Sequence, residues 1–340
     1  MTATTSPDDW TAPGAHPVSA GVFRIPLPLP NDGLRAVNVY VIETDQGLVL
    51  VDGGWALPES RHLLSDGLAE IGAHLGDIRQ FLVTHMHRDH YTQAIALRRD
   101  FGATVSLGEL ERPALELVQQ PGSVPLQRHL ATLRSCGAAA LADLIERFAP
   151  DDADRTDWES PDIWLAPGPL PLAGGRVLDV VHTPGHTSGH VVFHDTDAAL
   201  LFAGDHVLPT ITPSIGFEPV HSPDPLGAFL RSLEVVRSRP DALLLPAHGP
   251  VAPSAHARVD ELVAHHGRRL DQAMTAVATG ASCAFDVAGI LTWTRRERVF
   301  TELDPFNAML AVSETGAHLD LLVAQGRLAL TDDDGVRRYR

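Results

Sequence analysis

Within one short segment, Thr84-His85-Met86-His87-Arg88-Asp89-His90, the chain places three imidazoles and a carboxylate. Side chains of these types so closely spaced are cation ligands, and without thiolates they suit Zn, Fe or Mn. Four of them cannot all serve one tetrahedral ion, so the spacing points to two adjacent ions that draw further ligands from elsewhere. Three other positions carry the same chemistry in the same context. His186 lies in the glycine-bearing loop Pro184-Gly185-His186-Thr187, Asp205 follows the apolar run Leu200 to Gly204, and His248 follows Leu243 to Ala247.

The elements that must position these residues are legible as apolar runs. Val37 to Glu43, a turn at Asp45-Gln46-Gly47, and Leu48 to Asp52 read as two strands. Leu64, Leu68, Ile71 and Leu75 give an amphipathic helix leading into the strand Phe81 to Val83, at whose end the histidine segment begins. A helix over about Tyr91 to Phe101 and a strand at Thr104 to Leu107 follow. Glu109 to Phe148 is helix-patterned, and the acidic, Pro-bearing stretch Asp151 to Pro169 reads as loop, so an insertion over about 109–165 is expected. Strands return at Val177 to Val181, Val191 to Phe193 and Leu200 to Ala203. Asp224-Pro225 starts a helix to about Ser238, and Leu243 to Leu245 is one more strand. Loops at one end of such strands converge in space.

Composition bounds the function. The 340 residues, 44% hydrophobic and 20% charged, suit a globular chain of about two domains. Basic residues number 26 against 43 acidic, a formal charge of -17 that argues against bulk nucleic-acid binding. Every basic residue is Arg, which excludes lysine Schiff-base chemistry. Cys136 and Cys283 form no CxxC pair, so neither a disulfide framework nor a thiolate metal site is expected. No apolar run approaches the ~20 residues of a membrane span. Residues 1–19 read as a tail. Its start carries Asp8 and Asp9 rather than a basic cluster before an apolar run, so a cytoplasmic protein is expected.

Val51-Asp52-Gly53-Gly54, Thr84-His85-x-His87-x-Asp89-His90, Pro184-Gly185-His186-Thr187, Gly204-Asp205 and Ala247-His248-Gly249 resemble, in order and spacing, the five signature motifs of the metallo-β-lactamase superfamily. The resemblance covers about 20–252 and implies an α/β fold, the αββα sandwich, with a two-metal site at one edge. It implies that His85, His87 and His186 hold one metal, that Asp89, His90 and His248 hold the other, and that Asp205 bridges them. Asp52 would orient a ligand histidine from behind. The implied chemistry is hydrolysis by a metal-bridging hydroxide, with Asp89 as the catalytic proton carrier and zinc, or Fe or Mn, as the pair of divalent ions. After His90 this chain has Tyr91-Thr92-Gln93 where the family often has Gly-Gly, which would put Tyr91 near the mouth, as a substrate contact or as packing. A pocket of Tyr91, Ile211, Ile215 and Phe217 is expected, with the insertion and Leu208 to Ser222 as its wall. His206 is a further pocket candidate, its alternative being the structural role shared with His190, His194, His265 and His266.

Departures prune the superfamily's branches. His87 stands where the diiron flavoproteins carry Glu. Asp205 is present where β-lactamases generally lack it, and only 43 positions separate Asp205 from His248, too few for the nuclease cap. Glyoxalase II is the closest chemical model for the site, although its basic glutathione contacts have no match here. From about Pro253 to Arg340 the pattern is a long helix to Val277, helical stretches near Phe285 to Trp293 and Asn307 to Gln325, and a hairpin of Leu328 to Leu330 with Val336 to Tyr339. It resembles a small C-terminal winged-helix domain. Arg295, Arg296, Arg298, Arg337, Arg338 and Arg340 would give it a basic face, yet it holds 10 Arg against 12 Asp and Glu, so the wing is expected to pack on the catalytic domain or a second subunit in a homodimer. The expectation is a dinuclear hydrolase of a small-molecule thioester or ester. A lactonase, an endoribonuclease guided by the winged helix, and a non-catalytic binding protein are the alternatives.

Overall fold

The computed structural model describes residues 9–30, 33–120, 124–148, 156–218, 220, 222–294 and 296–340. One sheet contains, in chain order, β1 (His16–Ser19), β2 (Val22–Pro28), β3 (Ala36–Thr44), β4 (Gly47–Val51), β5 (Ile78–Val83), β6 (Thr104–Gly108) and β7 (Ile163–Leu165). It is antiparallel from β1 to β4 and parallel from β4 to β7. The second holds β8 (Gly168–Pro171), β9 (Val177–His182), β10 (Val191–Asp195), β11 (Leu200–Gly204) and β12 (Leu243–Pro246), antiparallel except for the parallel pair β11–β12. The helices are α1 (Pro58–Glu70), α2 (Arg88–Phe101), α3 (Arg112–Gln119), α4 (Val124–Ser135), α5 (Ala139–Phe148), α6 (Pro225–Arg237), α7 (Ala255–Ala278), α8 (Ala284–Ile290) and α9 (Pro305–Ala324).

Three apolar layers assemble these elements. Tyr40, Ile42, Val51 and Leu82 of the first sheet meet Val180, Phe193 and Phe202 of the second. Leu64 and Leu68 of α1, with Ile95 and Leu97 of α2, cover the outer face of the first sheet over Ile25, Val39 and Phe81. Phe229 and Leu233 of α6 and Leu262 of α7 cover the second sheet over Val192 and Leu201. The architecture is therefore helix, sheet, sheet, helix, as expected. Ala36 to Ile42 of β3 is buried throughout because both its faces are covered, which is why the run shows no polar alternation.

The strand ends define one edge of the sandwich. Asp52 follows β4, His85 follows β5, Asp205 follows β11 and His248 follows β12. Asp52 N–H donates to the Leu82 carbonyl (3.0 Å) and Ala247 N–H to the Gly204 carbonyl (3.0 Å). Asn38 Nδ2 on β3 donates to the carbonyls of Pro246 and Gly249, both at 2.9 Å, and so ties the first sheet to the loop of the second.

Structure and expectation differ in the short edge strands. Residues 16–19 of the expected tail form β1 against β2, and the expected loop 151–169 contributes β7 and the first residues of β8. These are strands of three or four residues at sheet edges, where Pro17, Pro169 and Pro171 are tolerated. The first helix begins earlier than its apolar period, at Pro58, and ends by Glu70. Residues 1–8 of the tail and 149–155 of the insertion lie outside the described residues.

Past His248 the chain forms α7 and α8, the pair β13 (Thr292–Trp293) and β14 (Arg298–Val299), α9, and a hairpin of β15 (Leu330–Asp333) and β16 (Val336–Tyr339). Asp224, Ser254 and Asp304 cap α6, α7 and α9, their side chains accepting from first-turn N–H groups. Leu270, Val312, Leu319 and Tyr339 share one continuous core with Phe229 and Leu233, so this segment is packed against the second sheet's helices. The expected basic face is partly consumed: Arg337 pairs with Asp320 of α9, and Arg338 Nη1 donates to Ser282 Oγ (3.0 Å). Arg295 lies outside the described residues. Among the described residues, no helix is long and apolar enough to cross a membrane.

Phe202 is fully buried and meets Tyr40 edge-on (5.5 Å between ring centres) in the middle of the inter-sheet layer. Phe202→Ala is expected to lower unfolding free energy by ~3–5 kcal/mol. Urea denaturation followed by fluorescence measures it.

Candidate metal centre

At the sandwich edge the side chains form two groups. His85, His87, His186 and Asp205 bring ligand atoms within 4.8 Å of one another, and so do Asp89, His90 and His248. In the first group the Nε2 atoms of His85 and His186 each lie 3.0 Å from His87 Nδ1. In the second, Asp89 Oδ2 lies 3.5 Å from His90 Nε2 and 3.4 Å from His248 Nε2. Asp205 stands between them. Its Oδ2 is 3.4 Å from His186 Nε2, and its Oδ1 is 3.3 Å from His248 Nε2 and 3.7 Å from His90 Nε2.

The outward nitrogens determine what the inward ones offer. His90 Nδ1 meets the Asp52 carboxylate at 2.9 Å, His186 Nδ1 the Ser214 carbonyl at 2.8 Å, and His248 Nδ1 the Ala36 carbonyl at 2.8 Å. Carbonyls and carboxylates only accept, so each Nδ1 donates, and in the neutral ring each Nε2 presents a lone pair to the centre. This is the support that metal-binding histidines require. His90 Nε2, His248 Nε2 and Asp205 Oδ1 are buried without a hydrogen-bond partner, an arrangement that a bound cation satisfies. The donor set therefore fits divalent metal ions.

The electrostatics divide the rings. Burial holds His85 well below the usual imidazole range, pushes His87 down to about 3, and lowers His186, so these rings stay neutral. Burial lowers His90 as well, but Asp89, Asp52 and Asp205 together outweigh it and lift the ring to about 10. His248 is raised against its burial by Asp205 and Asp89. Asp89 and Asp205 are likewise held below the carboxylate range, against burial, by the surrounding imidazoles. Asp52 itself adopts φ 62, a strained conformation for a non-glycine residue, while its Oδ1 accepts from Thr84 N–H (2.8 Å) and its Oδ2 takes His90. Gly204 (φ +49) precedes Asp205 where a Cβ would press on His190 Nε2 and Thr84.

Two carboxyls with no signal in the local sequence pattern brace the His186 loop. Glu111, at the start of the insertion, is fully buried and accepts from Thr187 Oγ1. Glu218 accepts from Ser188 N–H (3.0 Å) and Ser188 Oγ (2.6 Å).

The expected pocket is corrected. Tyr91 is buried in the core outside the first sheet, stacked on Trp158, with its hydroxyl donating to the Glu159 carbonyl (2.6 Å), because one residue beyond His90 turns it away from the metal edge. Ile215 is buried in the helical core, and Phe217 stacks on His129 (4.3 Å). Ile211 remains exposed. His206 is fully buried against Phe229 (5.2 Å) rather than lining a pocket. The insertion and the 208–222 loop do meet, around a cavity of about 210 Å³ lined by Arg128, Gly216, Glu218 and Ser313, but none of the seven clustered ligands lines it.

A helix–sheet–sheet–helix sandwich with convergent His and Asp ligands at one edge defines a metal-dependent hydrolase. The Metallo-beta-lactamase superfamily's sequence model matches residues 32–248, and the chain belongs to that superfamily. It is similar to a Bacillus subtilis (strain 168) protein named probable metallo-hydrolase YqjP, at 23% identity over 321 residues, 89% of this chain and 92% of that one. It is also similar to an atrochrysone carboxyl ACP thioesterase of Aspergillus fumigatus, at 25% identity over 250 residues, 72% of this chain and 44% of that one. The matches span about half the length of such fungal relatives. Among solved structures, a beta-lactamase domain protein from Burkholderia ambifaria superposes with a TM-score of 0.75 at 27% identity, covering 98% of this chain and 96% of that one. The C-terminal helices and hairpin therefore fall within the shared architecture.

Burial, opposed by Thr187, pushes the Glu111 carboxyl up to about 8 from an ordinary 4.5. A folded-state pKa above the unfolded value gives stability that is present below about 4.5 and lost as pH rises through about 8. Unfolding free energy is expected to fall by a few kcal/mol between about pH 5 and 9 in the native chain, and Glu111→Gln to flatten that dependence, as read by urea denaturation at each pH.

Proposed function

We propose that this chain is a dinuclear metallohydrolase that cleaves a thioester, or another activated ester, of a small molecule. The observation that carries the reading is Asp205, one carboxylate whose two oxygens face different ligand groups, Oδ2 toward His186 (3.4 Å) and Oδ1 toward His248 (3.3 Å). His85, His87 and His186 would hold one ion, and Asp89, His90 and His248 the other, with Asp205 shared. We assign zinc, although the same imidazole and carboxylate set accepts Fe or Mn. Divalent ions held there supply an acidified water and polarise the scissile carbonyl.

The chain's own residues do the rest. Asp52, the Ser214 carbonyl and the Ala36 carbonyl fix the tautomer of His90, His186 and His248. Asp89, 16% exposed against 9% for Asp205, is the more open carboxylate, and it is our proton carrier. Hydrolysis breaks the C–S bond and joins the water oxygen to the acyl carbon, and Asp89 passes the water's proton to the departing sulfur. Relatives named as ACP thioesterases support this substrate class, and glyoxalase II remains the nearest chemical parallel. We read the C-terminal segment as a winged-helix module with a packing role, since Arg337 of its hairpin turns inward onto Asp320. That favours a small molecule over nucleic acid as partner, for a protein we place in the cytoplasm.

Rates for the metal-loaded protein across acyl-CoA and acyl-glutathione thioesters, lactones, phosphodiesters and single-stranded RNA test the proposal. A thioester or activated ester should lead the panel, and Asp205→Ala should lower its kcat/KM at least ~100-fold. RNA cleavage as the leading activity, or unchanged hydrolysis in the variant, would overturn it.

A further inference from the structure

A third group of ligand-type side chains lies away from the sandwich edge, where α7 crosses α9. His265 and His266 on α7 and Glu314 on α9 bring their ligand atoms within 4.8 Å of one another. His318, one turn beyond Glu314, joins from behind, with Nε2 3.1 Å from His266 Nδ1 and Nδ1 2.7 Å from the Glu314 carbonyl. The His266 ring contacts Phe229 (5.4 Å between ring centres), and His206 lies against the same ring (5.2 Å). That aromatic ring separates this cluster from the loops of the metal edge.

The hydrogen-bond chain has one consistent direction. The Glu314 backbone carbonyl can only accept, so His318 Nδ1 donates to it, and the neutral His318 ring then presents an acceptor at Nε2. His266 Nδ1 must donate to that acceptor. His266 Nε2 is thereby left as a lone pair. It is buried, with no hydrogen-bond partner, on a residue that is 0% exposed. A lone pair aimed into a protein interior costs free energy unless a donor or a cation meets it. A second imidazole and a carboxylate bring ligand atoms within 4.8 Å of this ring. The outward N–H of His266, anchored through His318 to a backbone carbonyl, is the support that orients metal-ligating imidazoles.

We propose that His265, His266 and Glu314 form a separate site for a divalent transition metal of the zinc class, which fastens α7 to α9. Two imidazoles and one carboxylate make a three-ligand set that a water completes to a tetrahedron. His265 and Glu314 are half-buried, which leaves that water a place. Burial keeps His266 and His318 neutral at physiological pH and brings His265 down to about 4, so their lone pairs are available. Burial raises the Glu314 carboxyl, and metal binding would displace its proton. Arg268 and Arg258 also act on His265, but the cation that acts on all four side chains is Arg269. Its guanidinium lies over Trp293 (4.4 Å) and donates to the Thr292 carbonyl (3.1 Å) and Gln272 Oε1 (3.3 Å), so its hydrogen bonds are directed elsewhere.

The test is zinc per chain, by mass spectrometry after zinc loading and removal of excess, in the full-length protein, in His265→Ala and Glu314→Gln, and in a His87→Ala, Asp205→Ala double variant. His265→Ala and Glu314→Gln should each lose one zinc per chain relative to the native protein, with hydrolysis retained and the melting temperature lowered by a few degrees. The double variant should keep the zinc that His265→Ala loses. An unchanged count in His265→Ala, whose half-buried position tolerates truncation, would overturn the proposal. Because the result is a difference between chains, it stands whether the edge centre holds two ions or one.

Discussion

Five imidazoles and two carboxylates held out of bulk water at 3.0–4.0 Å from one another carry an electrostatic cost that a bound cation would offset. Much of the remaining architecture serves to hold that arrangement in place. The loops that carry these residues and Asp52 issue from β4, β5, β11, β12 and the β9–β10 turn, and the outer nitrogens of His90, His186 and His248 are each taken by a fixed acceptor. Because those acceptors are Asp52 and two backbone carbonyls, the lone-pair direction of each ring is set by the sandwich itself. The strain at Asp52 and the close approach behind Gly204 are local costs of that convergence.

The two sheets are coupled where the chemistry requires it. Asn38 spans from the first sheet to the loop that presents His248, and Thr84 links Asp52 to the histidine segment. The insertion reaches the same edge through Glu111, and the 208–222 loop through Glu218, both beneath the His186 loop. The C-terminal helices extend the core of α6 rather than standing apart, so the ligand edge and the α7–α9 crossing are joined through Phe229.

The clustered side chains were legible because they gather in short polar motifs that follow apolar strands, in an order that survives on one chain. Asp52 was legible for the same reason. What was hidden depends on contacts that no local pattern encodes. Glu111 lies in a helical insertion and meets Thr187 only in the folded chain, and β1, β7 and β8 are too short and too Pro-rich to show a period. Tyr91 illustrates the limit of reading by adjacency: a helix turns about 100° per residue, so the neighbour of His90 points into a different core. His265-His266 was visible as a pair, but its partners, Glu314 and His318, stand four apart on a helix far along the chain.

The most direct test is crystallographic: anomalous difference maps of the zinc-loaded protein, with data collected on either side of the zinc absorption edge. A dinuclear centre should give two peaks about 3.5–4 Å apart, one beside Asp205 Oδ2 among His85, His87 and His186, and one beside Oδ1 among Asp89, His90 and His248. A single peak there, or two peaks with Asp205 bound to neither, would contradict it.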